Sequence, residues 1–188
     1  GAKVIAYDTR PVVEEQVKSL GAQFLKIDVG ETSQTKDGYA KPLTGEQIQI
    51  QREAMRKICA DSDVVICAAQ VFGRKAPVLV TAAMLDAMKP GSVVIDLAVE
   101  TGGNVEGVVY DQVTDRNGVK IAGIANLPGR VPLHASQVYA ANLVALIEEF
   151  WNKETKQLAL NLNDEIIKGC LVTHRGKIVN EKLLPIPN

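Results

Sequence analysis

Cysteine, histidine and aromatic residues are scarce in this sequence, and each shortage removes a class of function. Cys59, Cys67 and Cys170 are odd in number and unrelated in spacing, with only His134 and His174 to join them. That excludes a recognisable zinc motif and argues against a disulfide framework. Cys59 and Cys67 sit in apolar surroundings and read as core thiols, so a reducing compartment fits best. No sign of charge dominates: 21 Lys and Arg stand against 22 Asp and Glu, a formal net charge of −1. A nucleic-acid or anionic-membrane surface has no support in that balance, and no nucleic-acid partner is expected. No apolar run approaches the length of a membrane span, so direct membrane insertion is not expected. Internal repeats and low-complexity tracts are lacking, and no Gly-x-Gly-x-x-Gly occurs anywhere in the chain.

What is there is an ordinary globular composition, 46% apolar and 23% charged over 188 residues, enough for one domain or one domain with an appendage. The informative stretch is Gly1–Pro11, GAKVIAYDTRP. Lys3–Tyr7 reads as a short buried strand, Asp8 follows at its carboxyl end, and Thr9-Arg10-Pro11 opens a helical pattern. Doubly wound sheets bind ligands just outside the carboxyl ends of their strands. An acidic residue at the end of the second strand is where such a fold accepts a hydrogen bond from an adenosine ribose. Asp8 is therefore a candidate to grip the ribose of NAD and repel the 2′-phosphate of NADP. A plain helix cap or strand-end turn is the competing reading. A dinucleotide fold also places a first strand and a glycine-rich turn about 20 residues before this acid. Only Gly1–Tyr7 precede it, so the sheet is expected to lack its first strand and glycine loop.

Further along, Val12–Leu20 reads as a helix stopped by Gly21, and Gln23–Ile27 as a strand. Asp28–Thr44 is too long and polar for an ordinary connection, and Tyr39 beside Gly38 could fold over a ligand or do nothing in a surface loop. Thr44 and Gln47 resemble a capping box for a helix to about Ala60. Val64–Ala68 and Ser92–Leu97 are continuous apolar runs suited to a parallel sheet. Ala69–Ala76 lies at the carboxyl end of the first of these, where a ligand would sit. Thr81 caps a short helix to Met88. Glu100-Thr101-Gly102-Gly103-Asn104 follows the second run, its glycine pair allowing close approach of a ligand or forming a plain turn. Val119–Ile124 is a fifth strand, and the longest helix runs from about Leu133 to Trp151. Strand and helix alternate from Lys3 to about Val131, so a parallel sheet with helices on both faces is expected. Beyond Trp151, Gln157–Leu162 and Ile166–Val172 read as strands, with a hairpin turn at His174–Lys177. That tail has too little core of its own and is expected to pack on something else.

Several blocks together carry a family resemblance. They are YDTRP at Tyr7–Pro11, EQVKSLGAQF at Glu15–Phe24, DGYAK at Asp37–Lys41 and KAPVLVT at Lys75–Thr81. MKPGSVVIDLAVETGGN at Met88–Asn104 and NLPGR at Asn126–Arg130 complete the set. The chain resembles the C-terminal half of the NAD(H)-binding component, domain I of the alpha subunit, of proton-translocating NAD(P) transhydrogenase. VIDLA-x-x-x-GG is shared with the related alanine dehydrogenases, whereas DTRP and GYAK point to transhydrogenase. The likeness covers most of residues 1–150 and continues more weakly through the tail.

The resemblance implies an α/β, Rossmann-like unit at 1–135 that belongs to an NAD-binding subdomain, with 136–188 a long helix and small β tail of a second subdomain. It implies that Asp8, Thr9 and Arg10 surround the adenosine ribose and that Gly38 and Tyr39 lie in a loop closing over nucleotide. Gln51, Ala69 and Gln70 match family positions beside the nucleotide, and Glu100 and Asn104 flank the glycine pair. The family usually has a Leu-Ile-Pro-Gly-Lys-like run where this chain has Gln70-Val71-Phe72-Gly73-Arg74. Its hydride-transfer loop has no match here, so no catalytic residue is assigned. The implied reaction passes hydride directly from NADH to NADP⁺ held on a partner domain, coupled to proton movement by a separate membrane domain. Such a transfer needs two nicotinamides about 3–3.5 Å apart, so positioning rather than acid–base chemistry supplies the rate. A homodimer on the cytoplasmic or matrix side of an energy-transducing membrane is the implied setting. The alternatives are an alanine-type dehydrogenase, in which an Asp stands where Glu100 is here, and an assembly module without cofactor affinity.

Overall fold

The computed structural model describes residues 1–10, 12–28, 30, 43–71 and 73–180. The chain divides into two compact units, Gly1–Ala125 and Asn126–Asn188.

The first unit is α/β. Strand β1 (Ile5–Ala6) pairs in parallel with β2 (Gln23–Phe24), and α1 (Val12–Ser19) lies between them in sequence. Gly21 ends that turn at φ +81°, a left-handed conformation that only glycine adopts cheaply. Helix α2 (Gly45–Asp61) begins with the capping box expected from its sequence: Thr44 Oγ1 accepts from the Gln47 N–H, and Gln47 Oε1 accepts from the Thr44 N–H. Strand β3 (Val64–Cys67), helix α3 (Ala82–Ala87) capped by Thr81, and strand β4 (Val93–Asp96) follow. A 3-10 turn (Val99–Thr101), β5 (Gln112–Arg116) and β6 (Val119–Gly123) complete the unit.

These strands form a second sheet in the order β3-β4-β6-β5, parallel except for β5. The antiparallel β5 is absent from the alternating pattern expected from sequence. It is made by Asn117-Gly118, both at positive φ, a hairpin turn whose twist suits the flanking strands. One face of this sheet carries Cys67, Val94 and Ile121, which pack with Cys59 of α2 and with Val80, Met84, Leu85 and Met88 around α3. On the opposite face Val64 and Ile66 are 56% and 62% exposed. Helices were expected on both faces. The apolar run reports a strand that demands cover on each side, and among the described residues of this unit one side receives it. The expected sheet is likewise divided, for among the described residues β1 pairs only with β2, and β3 only with β4.

The second unit is helix and hairpins: α4 (Leu127–Arg130), α5 (Pro132–Phe150), the antiparallel pair β7 (Trp151–Asn152) and β8 (Gln157–Leu158), α6 (Glu165–Cys170), and the pair β9 (Thr173–His174) and β10 (Lys177–Ile178). The hairpin turn at His174–Lys177 is present. The strand expected at Ile166–Val172 is instead α6, because Asp164 accepts from the N–H groups of Ile166 and Ile167 and Glu165 adds charge to the first turn. A doubly bonded N-cap outweighs the strand preference of Ile166 and Ile167 here. The strand expected over Gln157–Leu162 shortens to β8, which pairs with β7 immediately after α5. No described helix is long and apolar enough to cross a membrane.

Candidate functional site

Asp8 stands just past the carboxyl end of β1, half-buried, and its carboxylate is held chiefly by Arg10. Oδ1 accepts from the Arg10 backbone N–H at 2.8 Å and from Nε at 2.9 Å, and Oδ2 accepts from Nη2 at 2.8 Å. Partial burial pushes the Asp8 carboxyl up. The Arg10 side chain, the backbone N–H groups of Arg10 and Thr9 and the guanidinium charge outweigh it, and the carboxyl lies below its ordinary range. Asp8 is thus a charged acceptor at neutral pH, with 26% of its side chain open to solvent. It does not point into the apolar interior.

The residue before it is anchored separately. Tyr7 Oη accepts a 3.0 Å hydrogen bond from Nε2 of Gln51, a buried side chain on α2. Burial, opposed by this bond and reinforced by the Asp8 charge, raises the Tyr7 phenol above its usual value. Gln51 therefore reaches Asp8 only through Tyr7, pinning the strand end that carries Asp8 to the middle of α2. A role for Tyr7 is not visible in sequence, since only its place beside an acid could have suggested one.

The other candidates gather where β3 and β4 end. Asp96 and Asn104 are both fully buried. Asp96 Oδ1 accepts from the Ala98 N–H at 2.9 Å, and Oδ2 from the N–H groups of Asn104 and Val105 at 2.7 and 2.9 Å. Asn104 Oδ1 accepts from the Ala69 N–H, and its amide donates to the carbonyls of Ala69 and Pro77 at 2.9 and 2.7 Å. Its own carbonyl accepts from Leu79 and Val80. Both amide hydrogens of Asn104 are committed inward, so its side chain holds the loop after β3 in place instead of offering those donors to solvent. A single aspartate inside the apolar run VVIDL was the sequence signal for this network, because a buried carboxylate must find donors.

The glycine pair has an internal cause as well. A Cβ on Gly103 (φ +80°) would lie 2.6 Å from Val108 Cγ1 and 2.9 Å from Asp96 Oδ2, and one on Gly102 (φ +103°) would meet the Lys75 stem at 2.7 Å. Protein atoms therefore already require glycine at both positions. Ala69 is half-buried beside this network, and Gln70 is exposed with Nε2 donating to the Leu97 carbonyl at 3.1 Å. Glu100 is exposed in the 3-10 turn. Gly38 and Tyr39 lie outside the described residues. Among the described residues no three His, Cys, Asp or Glu side chains are grouped to hold a metal ion.

Comparison with known proteins gives this geometry its context. The family model described as alanine dehydrogenase/PNT, C-terminal domain, matches residues 1–181. The chain belongs to that family. The alanine dehydrogenase/PNT relatives include an NAD(P) transhydrogenase alpha subunit of Rhodospirillum rubrum, 42% identical over 185 residues, 97% of this chain and 48% of that protein. Alanine dehydrogenase 1 of Staphylococcus aureus is 30% identical over 97% of this chain and 44% of its own length. The crystal structure of transhydrogenase from Sinorhizobium meliloti superposes with a TM-score of 0.69 at 44% identity, covering 95% of this chain and 46% of that one. This chain thus spans about half the length of the relatives it matches. The α/β fold with its parallel sheet is the one these relatives share.

Proposed function

We propose that this chain is the NAD(H)-binding part of an NAD(P) transhydrogenase, and that Asp8 receives the hydroxyls of the adenosine ribose. The observation that carries the reading is the Asp8 carboxylate: charged, held by three donors at the carboxyl end of a parallel strand, and still partly open. That is the acceptor a ribose diol needs. The residues fit the adenosine end of a dinucleotide, with Asp8 accepting, Thr9 and Arg10 shaping its surroundings and the Tyr7–Gln51 bond fixing its position. The chain has no Gly-x-Gly-x-x-Gly, so the pyrophosphate would be held by residues outside this stretch. The division between the β1–β2 ladder and β3 supports that reading, since a doubly wound sheet places its first strand between those two. On this proposal 1–135 belongs to a nucleotide-binding subdomain and 136–188 to another.

Bound NADH would supply the hydride itself, and the residues of this chain would bind and orient it. The partners proposed are an NADP(H)-binding domain and a membrane domain of the same enzyme, with a second copy of this chain, on the cytoplasmic or matrix side of the membrane. Gly38 and Tyr39 are proposed to cover bound nucleotide. Assaying the natural full-length polypeptide with its partner domains decides the matter. NADH with an NADP analogue should be turned over, and NADH with pyruvate and ammonia should not. The reverse result would establish the alanine dehydrogenase reading, which the Staphylococcus aureus relative keeps open. Unchanged NADH affinity in Asp8→Ala would remove Asp8 from the site.

A further inference from the structure

We propose that Arg10 is the second half of the cofactor discrimination: Asp8 excludes a 2′-phosphorylated dinucleotide by occupying the guanidinium that would otherwise receive that phosphate. The inference rests on the assignment of Asp8 to the ribose and goes beyond it. Repulsion between Asp8 and a phosphate is the ordinary account of NAD preference, and it gives Arg10 no part. The hydrogen bonds here give it one.

Arg10 alone brings three donors to the Asp8 carboxylate: its backbone N–H at 2.8 Å, Nε at 2.9 Å and Nη2 at 2.8 Å. The guanidinium fork recognises two coplanar oxygens and does not distinguish those of a carboxylate from those of a phosphate. A phosphate on the ribose 2′-oxygen would lie where the Asp8 carboxylate meets the ribose, within reach of the same three donors. The sequence therefore carries a formed anion-binding fork whose anion is the chain's own side chain. It is not deeply buried, with 40% of the Arg10 side chain exposed, so the guanidinium has room to follow a different oxyanion. Fold-level chemistry agrees, because an arginine near this acid is the usual means of accommodating a 2′-phosphate. In this chain the acid and the arginine are two residues apart and neutralise each other. Asp8 thus acts twice, as acceptor for a free diol and as the group that keeps Arg10 from accepting the phosphorylated one.

The test is a double-substitution cycle in the natural full-length polypeptide, with Asp8→Ala, Arg10→Ala and both together. NADH and NADPH are titrated separately, following nucleotide fluorescence. Asp8→Ala should tighten NADPH at least about tenfold, the worth of one charge-assisted hydrogen bond, and weaken NADH by a similar factor. Adding Arg10→Ala should return NADPH to within about threefold of the wild type while NADH stays weak. An equal gain in NADPH affinity with and without Arg10 would show that repulsion alone discriminates, and no gain at all would equally overturn the proposal. The NADH arm answers separately for the ribose assignment, which fails if Asp8→Ala binds NADH as the wild type does. Asp8→Asn, closest in shape, repeats the cycle if the alanine variant is poorly folded. Arg10→Lys in the Asp8→Ala background should recover only part of the gain, since an ammonium lacks the fork.

Discussion

Asp96→Asn isolates the network on which the loops after β3 and β4 depend. The carboxylate lies in a fully buried position and accepts from three backbone N–H groups, one on Oδ1 and two on Oδ2. An amide of the same shape keeps one accepting oxygen. Turned toward the Asn104 and Val105 pair, it points its NH₂ at the Ala98 N–H, donor against donor. One charge-assisted hydrogen bond is lost and one buried N–H is stranded, about 1.5–3 kcal/mol. The remaining two bonds fall from charge-assisted to neutral strength, roughly half their former worth. The sum is about 3–6 kcal/mol, a large share of the 5–15 kcal/mol typical of a domain. Urea unfolding followed by circular dichroism measures it, with the exposed Asp63→Asn as a control expected within about 0.5 kcal/mol of the wild type. Hydrogen exchange should localise the damage, with the amides of Ala98, Asn104 and Val105 losing protection before the strands do. A cost for Asp96→Asn under about 1 kcal/mol, or protection unchanged at those amides, would refute the assignment of Asp96 as the anchor of these loops.

Other outcomes follow from the same geometry. Gly103→Ala should cost about 3 kcal/mol by urea unfolding, combining a left-handed backbone with a Cβ 2.6 Å from Val108, whereas Gly107→Ala shares the positive φ in open space and should cost about 1–2 kcal/mol. The Asp8 carboxyl is depressed, so its stabilising contribution is complete above the ordinary carboxylate value of 3.8 and is lost as pH falls through the lower folded value. The stability difference between wild type and Asp8→Asn should therefore stay constant from neutrality down to about pH 4 and shrink only below it, as acid titration of both would show. Burial pushes the Cys67 thiol up to about 12, aided by the nearby Asp96 charge, and raises Cys59 as well. At pH 8 a thiol reagent should modify exposed Cys170 in the folded protein and reach Cys59 and Cys67 only after denaturation.

Much of the fold was legible because its signals are local. Thr44 with Gln47 and Thr81 with its helix were readable as caps, the apolar runs at β3 and β4 marked parallel strands, and Val119–Ile124 was readable as the strand β6. The misses have local causes too. Asn117-Gly118 turned one expected connection into an antiparallel strand, and Asp164 converted an isoleucine pair from strand to helix. At the site, an acid at a strand end was visible as Asp8, but its saturation by Arg10 was not. Residues two apart meet in this way only when the backbone turns at Thr9. Asn104 and Gly103 show the harder limit. Sequence placed both at the correct end of β4, yet which way an amide points, and what fills the space over a glycine, depend on residues such as Ala69, Pro77 and Val108 that come from other stretches of the chain.

The amide of Asn104 grips the peptide carbonyls of Ala69 and Pro77 together, like a clasp closing a short chain into a ring. Whatever happens to the links between, the two ends return to the same coordinates. Substitution at Val71 or Arg74 should therefore leave both ends in place, whereas Gly73, at φ +68°, is a position where a side chain would be strained. Variation tolerated inside the ring leaves the mouth of the strand unaltered, so the chain can diversify there without disturbing what Ala69 presents.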